Sequence, residues 1–127
     1  MAQTIIVVVD DLFFASKIRG AGEQAGVDII FAKTVEAVIT AAESQRPSLV
    51  IADLHSKQCN PIQLAKRVKS HQELKTVPLV GFFSHVQVEL KRGAEEAGFD
   101  HTIPRSALSN FLADMLKAPE SGGLYPV

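Results

Sequence analysis

The sequence predicts an α/β domain built on a five-stranded, doubly wound parallel sheet. Five short apolar runs, rich in Val, Ile and Phe, alternate along the chain with segments of helical periodicity. The apolar runs are continuous, as strands buried on both faces of a parallel sheet require. The repeated β-α order and right-handed crossovers favour the strand order 2-1-3-4-5, with helices on both faces.

The strand runs lie at residues 4–9, 27–32, 48–52 and 78–83, with a weaker run at 101–103. The first helix is predicted from one apolar stripe, although Gly20 and Gly22 disfavour a helix there. That stripe consists of Phe14, Ile18, Ala21 and Ala25.

The remaining helices are predicted from caps and apolar stripes. Thr34 caps the second helix, and Asn60 followed by Pro61 starts the third. The fourth spans residues 86–97 and stops at Gly98, and the fifth ends before residue 119. The fifth carries the stripe Leu108, Phe111, Leu112, Met115 and Leu116. We therefore predict one domain over residues 1–118 and a flexible tail or linker start over 119–127.

Composition excludes several classes of protein. The chain has 127 residues, 46% of them hydrophobic and 21% charged, with a net charge of -1. These values argue against disorder and against binding of nucleic acid by this domain. The opening apolar run is too short for a membrane span and lacks a basic region before it, so we expect no membrane association and a cytoplasmic location. Cys59 is interpreted as an ordinary thiol in a loop or at a helix start.

The predicted fold brings five polar side chains to one edge of the sheet, because ligands bind outside the carboxyl ends of parallel strands. Strand 1 runs into Asp10 and Asp11, strand 3 ends in Asp53, strand 4 ends in Ser84 and strand 5 runs into Arg105. Three carboxylates, a hydroxyl and a guanidinium are therefore expected to converge there.

The charges of this group favour a divalent cation. Three carboxylates a few ångströms apart repel one another, and Arg105 supplies only one positive charge. Mg²⁺ prefers carboxylate and carbonyl oxygen and completes its shell with water and phosphate. A carboxylate beside such an ion is a competent nucleophile toward phosphorus. We therefore predict that Asp10 and Asp11, together with Asp53, supply the metal site. Asp53 also receives a phosphoryl group, and Ser84 and Arg105 contact its oxygens.

Four segments resemble the receiver domain of bacterial two-component response regulators, over residues 4–117. They are VVVDD, LVIADL, PLVGFFS and AGFDHTIPR, with spacings near those of the family. The resemblance implies a flavodoxin-like or CheY-like fold and a signalling domain rather than an enzyme. It implies a histidine kinase or other phosphodonor as partner, Mg²⁺ as cofactor, and the main-chain carbonyl of His55 as a metal ligand. It also implies a downstream protein bound at the face of the fourth helix, fifth strand and fifth helix, and allows a phosphorylation-dependent homodimer.

The chain departs from the receiver pattern at several positions. Arg105 replaces the usual lysine, and Arg is not equivalent to Lys. Thr102 stands where an aromatic residue is frequent, Lys57 where proline is typical, and His85 where a small residue is usual. Ser106 and Pro61 replace the usual proline and glycine. These departures leave a second hypothesis open, a degenerate receiver that binds proteins independently of phosphorylation. A cofactor-binding flavodoxin-like protein is disfavoured, because the DDLFFAS loop would repel phosphate without a metal.

Overall fold

The computed structural model describes residues 3–84, 88–108 and 110, and its strands form a single parallel sheet. The strands are β1 (Thr4–Val8), β2 (Asp28–Phe31), β3 (Leu49–Asp53), β4 (Leu79–Phe83) and β5 (His101–Pro104). Their order is β2-β1-β3-β4-β5, so the predicted fold class and strand order are confirmed. The strand predicted as weak, β5, pairs with β4 in parallel like the others.

Four helices follow the first four strands. They are α1 (Leu12–Ala25), α2 (Val35–Ser44), α3 (Pro61–Ser70) and α4 (Val88–Ala97). Residues 105–108 are also helical and follow β5 directly. Most of the predicted fifth-helix stripe, the predicted tail at 119–127 and His85 lie outside the described residues.

Three of these helices begin at side-chain caps. Thr34 accepts a hydrogen bond from the Ala37 amide, and Asn60 accepts one from the Gln63 amide. Both caps were predicted, and each satisfies an amide that the first helical turn leaves without a partner. Asp11 caps α1 in the same way, so a predicted site residue is also a structural one.

The sheet separates two apolar layers, as helices on both faces predict. On one face, α1 and the helical residues 105–108 cover the sheet with Phe14, Ile18 and Leu108. On the other face, α2, α3 and α4 form a larger layer. The central strands β1, β3 and β4 are almost completely buried, because both of their faces are covered. Among the described residues, no helix is long and apolar enough to cross a bilayer.

Candidate functional site

The carboxyl ends of the strands gather the predicted site residues at one edge of the sheet. Asp53 is the last residue of β3 and pairs in register with Phe82 of β4. Asp10 follows β1, whose Val8 pairs with Ala52 of β3. Adjacent strands of a sheet lie about 4.8 Å apart. The sheet therefore holds the backbones at Asp10 and Asp53 side by side.

Asp10 is bound by the connection between β3 and α3. The Ser56 hydroxyl donates to Asp10 Oδ1 at 3.0 Å, and the Lys57 amide donates to Asp10 Oδ2 at 3.0 Å. The Ser56 hydroxyl also accepts a hydrogen bond from the Cys59 amide at 3.2 Å. Both carboxylate oxygens of Asp10 are therefore anchored to one loop.

Asp53 is half-buried and has a different environment. The His55 amide donates to Asp53 Oδ1 at 2.8 Å, and Oδ2 accepts no hydrogen bond from a described residue. Burial raises the pKa of Asp53, and the nearby charge of Asp10 raises it further. The His55 amide and the charges of His55 and Arg105 act in the opposite direction without cancelling that increase. The negative charge of the Asp53 carboxylate is thus only partly balanced by the positive groups near it.

Asp11 has partners on the other side of β1. Its Oδ1 caps α1 by accepting from the amides of Phe13 at 2.9 Å and Phe14 at 3.3 Å. Its Oδ2 accepts a hydrogen bond from the Arg105 guanidinium. The Arg105 hydrogen bond is the main cause that lowers the pKa of Asp11, and the helix amides lower it further. The Arg105 guanidinium also lies 4.1 Å from the centre of the Phe14 ring, a cation–π contact.

An open cleft of about 490 Å³ lies at this edge of the sheet, next to Arg105. It is lined by Phe13, Phe14, Lys17, Ser84, Arg105 and Ser106. Ser84 is exposed in the cleft, and its hydroxyl makes no hydrogen bond to another described residue. An exposed hydroxyl at this position can donate a hydrogen bond to an oxyanion bound in the cleft.

The adjacent acids Asp10 and Asp11 consequently have separate sets of partners. Asp10 faces the loop after β3, whereas Asp11 faces Arg105 and α1. The chain bends at Asp10, between the end of β1 and the start of α1, and the two side chains diverge there. Within the residues that the structure covers, no three His, Cys, Asp or Glu side chains form a ready metal-binding group.

The donor chemistry at the edge nevertheless fits Mg²⁺. This ion is usually held by one or two carboxylates and keeps several waters, so it does not need three protein carboxylates. Asp10 and Asp53 are neighbouring carboxylates, since the charge of Asp10 adds to the effect of burial in raising the pKa of Asp53. Each Asp10 oxygen accepts one hydrogen bond and keeps a second lone pair. Asp10 and Asp53 are thus the residues best suited to hold the ion, while Asp11 would first have to release Arg105.

Solved structures from several bacteria have the same architecture, and three of them are described here. No protein-family model matches the chain, and no curated protein matches it. A protein assigned as a response regulator from Chloroflexus aurantiacus is 22% identical, with a TM-score of 0.81, over 92% of this chain and 96% of that one. A chemotaxis response regulator of Vibrio cholerae is 15% identical, with a TM-score of 0.79, over 92% and 98%.

The third is the receiver domain of a sensor histidine kinase from Pseudomonas aeruginosa, described with magnesium coordinated in its active-site cleft. It is 14% identical, with a TM-score of 0.77, over 92% of this chain and 99% of that one. The chain has the fold of a response-regulator receiver domain. At these identities the likeness establishes the receiver fold alone.

Sequence reasoning missed two contributors to this receiver-fold site. Ser56 was not predicted to have a role, although a serine in the connection next to the acceptor strand is a signal for a side-chain hydrogen bond. The Lys57 amide was also missed. The sequence signal for it was the lysine at a position where proline is typical, because a proline has no N–H to donate. Cys59 lies just before α3, as predicted, and burial raises the pKa of its thiol to about 11, so it is protonated and unreactive.

Proposed function

We propose that this protein is a phosphoacceptor signalling module of a two-component system, with Asp53 as the acceptor. The observation that carries the proposal is the half-buried Asp53 carboxylate at the end of β3, short of positive charge and with one oxygen free of hydrogen bonds from described residues. The receiver fold, shared with a domain described with magnesium, supports the same interpretation.

The proposed reaction is a phosphoryl transfer. Asp53 Oδ2 attacks the phosphorus of a phosphohistidine on a partner kinase or of a small acyl phosphate or phosphoramidate. The bond between phosphorus and the leaving nitrogen or oxygen breaks, the leaving group keeps the electron pair, and an aspartyl phosphate forms. Mg²⁺, when bound, would neutralise negative charge on the acceptor and the phosphoryl oxygens.

Other residues of the chain have proposed supporting roles. Asp10 and Asp53 would hold the ion, with Asp11 and the His55 carbonyl as the further predicted ligands. The Ser84 hydroxyl would donate to one phosphoryl oxygen. Arg105 would balance negative charge from the Asp11 side, and its charge already acts on Asp53. The reaction would take place in the cytoplasm, where a kinase could reach the site.

We propose that the phosphorylation signal is passed on at the face formed by α4, β5 and the following helix. The Thr102 hydroxyl donates to Glu95 of α4 at 2.9 Å, and Glu95 also pairs with Lys91. A hydroxyl therefore links β5 to α4 at the position where receiver domains frequently have an aromatic residue. A downstream protein or a second phosphorylated copy would bind at this face.

Phosphorylation with site mapping tests the proposal. Incubation with Mg²⁺ and a small acyl phosphate or phosphoramidate should add one phosphoryl mass to the wild type and none to Asp53→Asn. Asp28→Asn is the matched control, because Asp28 is an exposed acid at the start of β2. The proposal is wrong if no donor adds a phosphoryl group, or if the added group maps to another residue.

A second candidate is a receiver-like module that binds proteins without phosphorylation. The observation in its favour is that both acids of the pair have protein donors, Asp10 from the loop and Asp11 from Arg105. In that case no phosphoryl mass would be added, and the amide NMR spectrum of α4 and β5 would not respond to donor and Mg²⁺. A spectral response that is absent in Asp53→Asn would exclude this candidate.

A further inference from the structure

Ser56 is a buried polar residue that links the end of β1 to the loop after β3. It is 9% exposed and is the one buried polar or charged residue in the part of the chain that the structure describes. Its hydroxyl donates to Asp10 Oδ1 at 3.0 Å and accepts from the Cys59 amide at 3.2 Å. A hydroxyl has a single proton, so the bond from Cys59 helps to fix the direction in which that proton points, toward Asp10.

The second donor to Asp10 comes from the next residue. The Lys57 amide donates to Asp10 Oδ2 at 3.0 Å, so the carboxylate is held at both oxygens. This bond exists because residue 57 is not a proline, which would lack the N–H. Two consecutive residues of one short loop therefore donate to the same carboxylate.

The loop also connects Asp10 to the acceptor. It begins directly after Asp53, whose Oδ1 accepts from the His55 amide at 2.8 Å. The amides and the hydroxyl of residues 55–57 thus fix both carboxylates in one frame. Each Asp10 oxygen keeps one lone pair for a cation.

We infer that Ser56 is a positioning residue, which holds the Asp10 carboxylate in the orientation that lets Asp10 and Asp53 bind one divalent cation. The inference rests on the proposed function, because it assumes that these carboxylates hold Mg²⁺. Ser56 itself touches neither the ion nor the phosphoryl group; it acts through Asp10. Groups that orient metal-binding carboxylates typically change metal affinity by about 10- to 100-fold when they are removed.

Mg²⁺ titration of the full chain by isothermal titration calorimetry tests this role. We expect Ser56→Ala to weaken Mg²⁺ binding about tenfold or more. Ser56→Cys should weaken it similarly, because a thiol is a much weaker donor than a hydroxyl. Ser70→Ala is the matched control and should bind as the wild type does, since the Ser70 hydroxyl donates to backbone carbonyls within α3.

Loss of the fold has to be separated from loss of orientation. Ser56→Ala leaves the buried Cys59 amide without its acceptor, so each variant is titrated at a temperature where its circular dichroism shows it fully folded. If folded Ser56→Ala and Ser56→Cys bind Mg²⁺ within twofold of the wild type, the inference is wrong and the proposed function stands. If the wild type binds no Mg²⁺, or Asp10→Asn binds it equally well, the proposed metal site and the inference are both overturned.

Discussion

Asp53 is the residue at which the site's electrostatics can be measured directly. Burial raises the pKa of its carboxyl above the ordinary value of 3.8. Between 3.8 and the raised pKa the folded protein binds more protons than the unfolded chain, so stability decreases as pH rises through that window. Above the window the full cost of a poorly compensated charge remains.

The substitution Asp53→Asn should therefore stabilise the metal-free protein at neutral pH. The amide oxygen can still accept from the His55 amide, while the charge is removed. We expect the free energy of unfolding to increase by about 1 kcal/mol or less at pH 7, with the difference shrinking toward pH 4. Urea unfolding at several pH values measures this, with Asp28→Asn as control. A stability difference that does not change with pH would contradict the electrostatic explanation.

Arg105 and Asp11 form the second charged pair at the residue scale. The guanidinium hydrogen bond lowers the pKa of Asp11, so the stability that this pair contributes is present above the ordinary carboxyl pKa and is lost as pH falls through the lowered one. Arg105→Ala should raise the pKa of Asp11 toward its ordinary value, and Arg105→Lys should raise it less, because Lys keeps the charge without the planar fork.

Carbon-detected NMR titration of the Asp11 carboxyl, in buffer free of divalent cations, measures both variants. Part of the lowering should persist in Arg105→Ala, since the amides of Phe13 and Phe14 still donate to Asp11. An Asp11 pKa that is the same in Arg105→Ala as in the wild type would show that the ion pair is not formed in solution.

At the scale of elements, α1 contains two glycines with opposite surroundings. A Cβ at Gly22 would lie 2.5 Å from Ile29 Cγ1, whereas a Cβ at Gly20 would meet nothing within 4 Å. Both glycines disfavour a helix in the sequence, yet α1 runs through them without a break. Gly22 is thus required for close packing of α1 against β2, and Gly20 only weakens the helix.

The same substitution at these two positions should have effects of opposite sign. Gly20→Ala should stabilise the protein by about 0.5–1 kcal/mol, because alanine restricts the unfolded chain and favours a helix. Gly22→Ala should destabilise it by about 1–3 kcal/mol, because the added methyl group overpacks against Ile29. Chemical denaturation of both variants measures the pair. Equal effects at the two positions would mean that the packing of α1 on β2 differs from the one described.

For the whole molecule, cation binding and folding should be linked if the proposed function is correct. An ion that binds only the folded state adds stability that depends on its concentration, about 2.7 kcal/mol at 100 times its dissociation constant. Mg²⁺ should therefore raise the unfolding temperature of the wild type, and much less that of Asp10→Asn or Asp53→Asn. Sodium chloride at the same ionic strength is the control for screening. An equal increase with both salts would argue against a specific site.

Much of the architecture followed from local sequence patterns. Continuous Val- and Ile-rich runs predicted the central strands, and caps such as Thr34 and Asn60 predicted where helices begin. Strand ends shifted by about one residue: β1 ends at Val8, whereas the predicted run extends to residue 9, and β4 starts at Leu79 rather than at residue 78. Apolar patterns do not fix the exact residue at which a regular element ends.

The order of elements and the gathering of Asp10, Asp53, Ser84 and Arg105 at one edge were determined by the sequence itself, since burial periodicity and parallel topology leave few alternatives. The partners of the two adjacent acids were decided only by the tertiary structure. Asp10 bonds to Ser56, 46 residues away, and Asp11 to Arg105, 94 residues away. The physical reason is that these partners are far from the acids in the sequence. Only the folded chain, which bends at Asp10, brings the loop after β3 to one acid and Arg105 to the other.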